Sequence, residues 1–422
     1  MTGGGTSMEQ AEKPLLLVVG SNSANYRSYV LEAISSRYRI WLLHSAEPLW
    51  EGPYLDGFTV VDCLDTEKLV DAAQLVSRER EVCGVFSYDE RFVLGAAHVG
   101  AALGLATSGP AAVARCRDKS ETRAALRRAG LFQPLSRAVA SLAEATEFAA
   151  TIGYPVILKP RSLAGSVGVR RANSPTELAA GYEIAAGVQL DGFPERSGAQ
   201  VLVEQFIEGP EIAVDSVLHD GGCQPIVVAH KVLGTHPPFE FDEHGHDVRA
   251  DDPLLTDPAL RDVLARAHAA IGFRCGVTHT EFKLSPGGPC LIEINARMGG
   301  DLIPYLGYLA SGYDESLAAA DVAAGRRPEP VRRTRCRAAA VRFAIPPHDL
   351  EVTAARVRTD RIAPPIHSVA LAVHPGRVLR LPPRSFARLG SVVAVADTIE
   401  QARTAVADPG RFFEVSGRPP AE

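Results

Sequence analysis

Residues 278 to 297 read Thr-His-Thr-Glu-Phe-Lys-Leu-Ser-Pro-Gly-Gly-Pro-Cys-Leu-Ile-Glu-Ile-Asn-Ala-Arg, with alternating apolar and polar residues on both sides of a turn that we assign to Ser285–Pro289. This pattern predicts a β-hairpin. If the turn is symmetric about Gly287, Glu281 lies directly opposite Glu293, because strand residues equidistant from the turn centre are cross-strand partners. Alternation assigns two faces: a core face with Phe282, Leu284, Ile292 and Ile294, and a polar face with His279, Glu281, Glu293 and Asn295.

The two opposed carboxylates favour a bound cation. Like charges directly opposite each other destabilise a sheet, so a merely solvated face would more readily carry a lysine opposite a glutamate. Two carboxylates and the amide oxygen of Asn295 are hard ligands suited to Mg²⁺, which takes its other ligands from water and substrate phosphates. Arg297 would bring a guanidinium to the same end, as phosphoryl transfer requires. A solvated face remains the alternative on the hairpin alone.

The composition bounds the class of protein. A chain of 422 residues exceeds what one hydrophobic core normally serves, so two or three domains are expected. The net charge of −6 gives no electrostatic case for binding nucleic acid. The apolar runs are only as long as a strand and the N-terminal tail lacks signal-peptide features, so we expect a cytoplasmic protein with no membrane span. The seven cysteines are scattered and contain no Cys-x-x-Cys pair.

The ends of the chain differ from its centre. Residues 1–13, rich in Gly, Ser and Thr, are predicted to form a disordered tail. Residues 14–115 alternate strand and helix patterns, as in a parallel α/β domain, and lack a Gly-x-Gly-x-x-Gly dinucleotide loop. Residues 331–422 are expected to form an α+β subdomain, and nothing in them resembles a catalytic motif.

Two lysines and a glycine-rich loop are candidates for binding phosphate. The pattern Asp118-Lys-Ser-Glu121 is typical of a helix N-terminus, so Lys119 lies in a first turn, where a cation opposes the helix dipole unless an anion binds there. Lys159 ends a short apolar strand and is followed by a loop of small residues. The loop residues concerned are Gly165, Ser166 and Gly168. Such loops expose backbone N–H groups to phosphate oxygens, and a plain hairpin turn is the alternative.

Further acidic and histidine residues suggest a purine slot and a substrate loop. The connector Glu204, Gln205, Phe206 and Ile207 could read a purine edge through its backbone. Glu211 could accept hydrogen bonds from ribose, although both glutamates could equally be surface acids. Residues 230–252 form an irregular loop that contains His236, His244 and His246. Zinc is disfavoured there because no cysteine is nearby, and a loop that covers substrate is preferred.

Taken in order, these motifs resemble the nucleotide site of the ATP-grasp superfamily. Within it, the chain most resembles the L-amino acid ligases, which are carboxylate–amine ligases of the bacilysin-synthetase type, over roughly residues 14–395. The supporting stretches are Arg115–Lys119, Glu243–His246 and Glu293–Asp301. The resemblance implies an ATP-grasp fold of mixed α/β and α+β class. Its parts would be an N-terminal parallel α/β domain, an ATP-grasp domain over 116–330 with a lid subdomain at about 131–204 and a central antiparallel sheet, and the C-terminal subdomain.

The resemblance also implies a reaction and its cofactors. A carboxylate and an amine would be joined through an acyl phosphate, with release of ADP and phosphate, using ATP and two Mg²⁺ ions for which Mn²⁺ can substitute. Lys119 and Lys159 would neutralise phosphates, and Glu281, Glu293 and Asn295 would hold the metal. Arg297 would stabilise developing charge, and His246 would contact substrate or accept a proton. Gly299 and Gly300 would line the substrate site, and a homodimer is expected.

Substrate identity stays open. Residues 247–251 lack the small apolar, Pro-rich run associated with dipeptide-forming members. The alternatives are an ATP-grasp carboxylase, a purine-pathway ligase and a catalytically inactive nucleotide-binding module. The purine enzyme is disfavoured because no strong second anion site is visible in the sequence, and the inactive module because both metal carboxylates and Arg297 are retained.

Overall fold

The computed structural model describes residues 13–163, 165–190, 193, 201–235, 240–382 and 387–420, so the predicted tail lies almost entirely outside the described residues. The N-terminal domain is a four-stranded parallel sheet in the order β3-β2-β1-β4. Its elements are β1 (Leu15–Val19), α1 (Ala24–Ser35), β2 (Arg39–His44), β3 (Gly57–Val60), α2 (Thr66–Glu79), β4 (Val82–Phe86) and α3 (Val93–Ala102). The strand β1 is buried throughout, which explains its continuous apolar run.

Two short helices lead to a lid with its own core. They are α4 (Pro110–Arg117) and α5 (Lys119–Arg128). The lid contains β5 (Ser136–Val139), α6 (Leu142–Ile152), β6 (Val156–Pro160), β7 (Arg170–Ala172), α7 (Pro175–Gly187) and β8 (Val201–Gln205). Its strands are antiparallel in the order β5-β8-β6-β7. Both lid helices begin at a serine whose hydroxyl caps the first turn, Ser141 and Ser174.

The rest of the chain contains the largest sheet. Its first elements are β9 (Glu211–His219), β10 (Gly222–Leu233), β11 (Glu243–Arg249), α8 (Pro258–Ile271), β12 (Gly276–Ser285), β13 (Gly288–Asn295), α9 (Ile303–Ser311) and α10 (Glu315–Ala323). The later ones are β14 (Ala338–Ala344), β15 (Leu350–Val357), β16 (Ile366–Leu371), β17 (Val378–Leu379), β18 (Gly390–Ala396), α11 (Ile399–Val406) and β19 (Phe413–Arg418). The largest sheet is antiparallel and has eight strands, in the order β13-β12-β9-β10-β11-β14-β18-β16. The expected domain boundary at residue 330 therefore falls between strands of the same sheet. Of the C-terminal strands in the described part of the chain, β17, β15 and β19 form a separate small sheet.

The hairpin of β12 and β13 has the predicted carboxylate pair but a different turn. Ser285 pairs with Gly288, so the turn consists of Pro286 and Gly287 only. The register then shifts by one residue, because Phe282 pairs with Leu291 whereas Glu281 pairs with Glu293. Leu291 consequently packs in the core with Phe282, and Ile292 faces a cavity. The placement of Ile292 on the core face was wrong.

Short 3-10 helices complete the structure at Gly52–Tyr54, Pro253–Thr256, Thr359–Arg361 and Pro409–Phe412. In the described part of the chain, every helix is too short or too polar to span a membrane.

Candidate functional site

A cavity of about 670 Å³ lies where the lid, the hairpin, the N-terminal domain and the segment after β16 meet. Most of the residues predicted for the site line it: Lys119, Lys159, Gly165, Ser166, Glu204, Gln205, Phe206, Ile207, Glu211, Glu281, Glu293, Asn295, Arg297 and Gly300. Three predicted residues do not line it, namely Gly168, Gly299 and His246. Predicted residues up to 181 positions apart in sequence, Lys119 and Gly300, thus line the same cavity.

Lys119 connects the hairpin to the loop after β6. Asp118 caps α5 by accepting from the backbone N–H groups of Ser120 and Glu121, as its sequence pattern predicted. The Lys119 ammonium donates to the Leu163 carbonyl at 2.6 Å and lies 3.2 Å from Glu293 Oε1. This position suits a cation that moves from protein partners to a phosphate.

Lys159 is held by a buried acid that the lid contributes. Glu204 Oε2 lies 2.6 Å from Lys159 Nζ, and its Oε1 accepts from Arg123 Nε at 2.6 Å. Burial opposes ionisation of Glu204, but Arg123 and Lys159 outweigh it and lower the pKa of this carboxyl to about 2. Burial lowers the pKa of Lys159 despite the attraction of Glu204. The surface-acid alternative for Glu204 was wrong, and its carboxylate affects the site through Lys159.

Arg123 is a residue that the sequence did not single out. It lies on α5 and is almost completely buried. Besides Glu204, it donates to the carbonyls of Leu291 and Ile292 at 3.3 and 2.7 Å, and so fixes the hairpin bulge against the lid.

The predicted metal carboxylates face the cavity and are accompanied by lysines. Glu293 pairs with Lys119, while Glu281 Oε1 lies 2.9 Å from Lys231 Nζ and 3.4 Å from His279 Nε2. Burial opposes ionisation of Glu281, but Lys231 and His279 hold its pKa well below the usual range. The two carboxylates and the amide of Asn295, which all line the cavity, fit the hard-ligand preference of Mg²⁺.

Lys231 joins three carboxylates. It lies on β10, and its ammonium is 2.9 Å from oxygens of Glu211, Glu243 and Glu281. Burial alone would lower the pKa of Lys231, but these acids raise it well above the usual value. Glu211 also contacts Lys283 at 3.1 Å, so the acid predicted to bind ribose is neutralised by two lysines rather than exposed.

Arg297 projects to the junction with the N-terminal domain. Its Nε lies 2.9 Å from Glu90 Oε2, an ion pair without hydrogen-bond geometry, and its Nη1 donates to the Met298 carbonyl at 2.9 Å. Arg117 approaches the other Glu90 oxygen at 3.6 Å. Burial raises the pKa of Glu90 in spite of both arginines. Arg297 therefore lies at the cavity end of the hairpin, as its position in the sequence predicted.

His246 lies behind the cavity wall. It is fully buried against Phe343, with Nε2 3.3 Å from Glu243 and 3.4 Å from Asp301. Burial would lower the pKa of His246, but Asp301 and Glu243 raise it. Because the ring is fully buried and does not line the cavity, both predicted roles of His246, contact with substrate and acceptance of its proton, disagree with the structure.

Glu243, His246 and Asp301 have ligand atoms within 4.8 Å of one another, a spacing compatible with a metal ion. However, Lys231 already neutralises Glu243, and Arg388 binds both oxygens of Asp301 at 2.7 Å. These cations disfavour an additional metal there. His244 lies on β11, 3.5 Å from Asp242, and His236 is outside the described residues. The prediction of an irregular loop over residues 230–252 was wrong for its two ends, because β10 extends to Leu233 and β11 spans Glu243–Arg249.

The glycines predicted for the site have structural reasons for their identity. The Gly299 N–H donates to Asp215 Oδ2 at 3.0 Å, and a Cβ at Gly299 would lie 2.7 Å from that oxygen. Gly168 adopts φ +77 against Pro160 and Val188, which shapes the loop after Lys159. Gly300 lines the cavity itself.

Several cavity residues carried no sequence signal. Arg388, Arg377 and Leu379 come from the C-terminal region, where no catalytic motif was visible. Tyr26 and Arg27 come from α1 of the N-terminal domain. Each of these segments is irregular or ordinary in pattern, so only the fold reveals their proximity.

Comparisons with known proteins place this architecture. Residues 152–304 match the family model described as the ATP-grasp domain. The chain is 28% identical to the uncharacterized protein y4rH of Sinorhizobium fredii over 93% of this chain and 80% of that protein. It is 27% identical to alanine–anticapsin ligase of Bacillus subtilis over 55% of this chain and 53% of that one. It is 42% identical to D-alanine–D-alanine ligase of Marinobacter nauticus over 38% of this chain and 45% of that one. The matches to the two named ligases thus span about half of each relative's length.

Solved structures share the fold over nearly the whole chain. An L-amino acid ligase from Bacillus licheniformis superposes with a TM-score of 0.79 at 20% identity, covering 96% of this chain and 100% of that one. A phosphoribosylglycinamide synthetase from Anaerococcus prevotii superposes with a TM-score of 0.72 at 14% identity and the same coverage. The predicted ATP-grasp fold is confirmed. The class expected from the sequence, an ATP-dependent ligase that forms carbon–nitrogen bonds, is also the class that these comparisons support.

Proposed function

We propose that this chain, whose residues 152–304 match the ATP-grasp domain, is an ATP-dependent carboxylate–amine ligase that forms an amide bond. Its substrates would be two amino acids, or a small carboxylic acid and an amino acid. The observation that carries the proposal is the opposition of Glu281 and Glu293 beside Asn295, on a cavity that Lys119 and Lys159 enter from the lid side. The similarity to alanine–anticapsin ligase and D-alanine–D-alanine ligase supports the same reaction type.

Each residue has a defined task in this reaction. Glu281, Glu293 and Asn295 would hold Mg²⁺, which would supply positive charge to offset that of the phosphates. Lys119 and Lys159 would turn from their protein partners to the phosphates. A carboxylate oxygen of the substrate attacks the γ-phosphorus of ATP. The bond between the γ-phosphorus and the bridging oxygen breaks, ADP leaves, and an acyl phosphate is formed. Phosphorylation is needed because a free carboxylate is a poor acyl donor.

In the second step, the neutral amine attacks the acyl carbon and phosphate leaves with the electrons of the carbon–oxygen bond. Arg297 would stabilise the charge on the acyl phosphate and on the tetrahedral oxyanion. Because His246 lies behind the cavity wall, the proton lost by the amine would pass to another group or to water. His246 instead supports Glu243 and Asp301, the two acids that line the substrate part of the cavity.

A matrix of carboxylates against amines tests the proposal, with phosphate release and product mass as readouts. A ligase should release phosphate from ATP only when a carboxylate and an amine are both present. Release that requires bicarbonate would favour a carboxylase instead, and ATP binding without turnover in any combination would favour a nucleotide-binding module. The Glu293→Gln variant is the control for contaminating ATPase activity.

We also propose that the enzyme acts in the cytoplasm as a homodimer. Both statements rest on the resemblance to the family rather than on an interface. Light scattering of the purified chain at several concentrations tests the dimer, and a monomer at all of them would exclude it.

A further inference from the structure

Five arginines line the cavity, and they differ in how their charge is balanced. Three have a carboxylate partner: Arg91 with Asp89 at 2.7 Å, Arg297 with Glu90 at 2.9 Å and Arg388 with Asp301 at 2.7 Å. Arg377 is exposed at the mouth, where water can solvate it. Arg27 is only 6% exposed and takes part in none of the ion pairs found among the described residues, and Glu315 acts on it only through longer-range charge. Arg27 is therefore the buried arginine of the cavity that lacks a close counter-ion among the described residues.

The surroundings of Arg27 do not supply the missing charge. Its Nη1 donates to the Gly299 carbonyl at 3.1 Å, which uses one of five N–H donors, and its guanidinium lies 5.6 Å from the Tyr88 ring centre. Glu315 interacts with it at longer range, but burial and the neighbouring Asp215 raise the pKa of Glu315 well above the usual value. Both Glu315 oxygens also lack a hydrogen-bond partner in the described structure. A buried guanidinium in such surroundings is costly unless an anion binds it.

The position of Arg27 relates it to the reacting groups. Gly299 belongs to the turn that follows β13, two residues beyond Arg297. Asp215 accepts from the N–H of Gly299 while Arg27 donates to its carbonyl, so the two side chains fix this residue from both sides. Arg27 therefore lies where the turn after the β12–β13 hairpin meets the N-terminal domain.

The chemistry of the proposed ligation decides which anion belongs there. The carboxylate that is activated loses its charge when it becomes an amide, and its oxygens must face ATP. A fixed cation on the opposite wall suits a carboxylate that does not react, and the planar guanidinium matches a carboxylate in a two-point contact. We propose that Arg27 binds the free carboxylate of the amine-bearing substrate, which is therefore an amino acid. This inference rests on the proposed ligase function.

Calorimetric binding to the full chain in the presence of Mg²⁺ and ADP tests the assignment. The probes are the twenty common L-amino acids and their amides, which lack the carboxylate charge. The wild-type protein should bind at least one amino acid about 30-fold more tightly than its amide, the effect expected when a buried charge loses its partner. The Arg27→Gln variant should bind acid and amide alike. Arg91→Gln, which removes a paired cation from the same wall, should retain the preference.

Three results would overturn the assignment: equal wild-type affinity for acid and amide, a preference retained in Arg27→Gln, or no binding of any amino acid. If Arg27 had only a structural role, its replacement would weaken the binding of an amino acid and of its amide equally, and the ratio of the two affinities would be unchanged. Binding of ribose 5-phosphate that depends on Arg27 would also overturn it, in favour of a phosphate ligand. If Arg27→Gln does not fold, Arg27→Lys takes its place, and there the preference should fall several-fold; an unchanged preference would contradict the proposal. Selective binding without phosphate release in the substrate matrix would refute the ligase function but not the carboxylate contact.

Discussion

Replacing Glu204 by glutamine should destabilise the protein far more than a typical acid-to-amide change. Glu204 is buried between Arg123 and Lys159, with both contacts at 2.6 Å. The lowering of its pKa from 4.5 to about 2 corresponds to about 3 kcal/mol of stabilisation. Glu204→Gln removes this contribution and also leaves two buried cations without a full counter-charge. We therefore expect a loss of about 3–5 kcal/mol in the free energy of unfolding at pH 7.

The pH dependence gives a second check on the same ion pair. Because the pKa is lower in the folded state, the stabilisation is fully present above about pH 4.5 and is lost as the pH falls through about 2. The difference between wild type and variant should therefore shrink between these values. Urea unfolding followed by circular dichroism measures it. Glu147→Gln is the matched control, because its pair with Arg137 is exposed and should contribute less than about 1 kcal/mol. Equal losses in the two variants would refute the reasoning.

Three other predictions concern catalysis. Glu281→Gln and Glu293→Gln should each lose most phosphate release while keeping the fold, with partial recovery in excess Mg²⁺; near-normal turnover in both would exclude the metal role. Amide hydrogens of residues 161–170 should exchange more slowly in saturating ATP, as mass spectrometry can measure, and unchanged exchange would leave only a plain turn. Arg297→Ala should lower kcat by about 10²-fold or more with ATP affinity intact, and Arg297→Lys should recover little. A parallel loss of ATP affinity would instead make Arg297 an ordinary phosphate ligand or ion-pair residue.

The hairpin shows which parts of the fold its sequence could predict. Alternation of apolar and polar residues predicted the two strands, and symmetry about Gly287 placed Glu281 opposite Glu293. The turn was assigned one residue too long, and the bulge at Ile292 adds one residue back, so the two errors cancel at the carboxylates. The bulge was not predictable because Leu291 and Ile292 are both apolar, and either could occupy the core. Its consequence is that Ile292 becomes part of the cavity wall.

The part of the cavity that contains Arg27 and Arg388 could not be predicted from local sequence patterns. Arg27 meets the Gly299 carbonyl across 272 residues of sequence, and Arg388 meets Asp301 across 87. Neither arginine stands in a motif, and a lone arginine on a helix or in a loop is usually solvated. Their burial depends on how the N-terminal domain and the C-terminal strands join the central sheet. The residues predicted to bind phosphate and metal were easier to identify, because glycine-rich loops and paired acids are recognisable within short stretches of sequence.

Lys231 shows that a metal ion is not the only source of positive charge for the opposed carboxylates. The opposition of Glu281 and Glu293 requires nearby positive charge, and the sequence offered Mg²⁺ as its source. In the ligand-free structure, Lys119 and Lys231 supply that charge. Lys231 also gathers Glu211 and Glu243, so the acids assigned to separate tasks share one ammonium. A metal ion at the hairpin would therefore compete with Lys231 for Glu281, and its binding would change the charge felt by Glu243 on the substrate side.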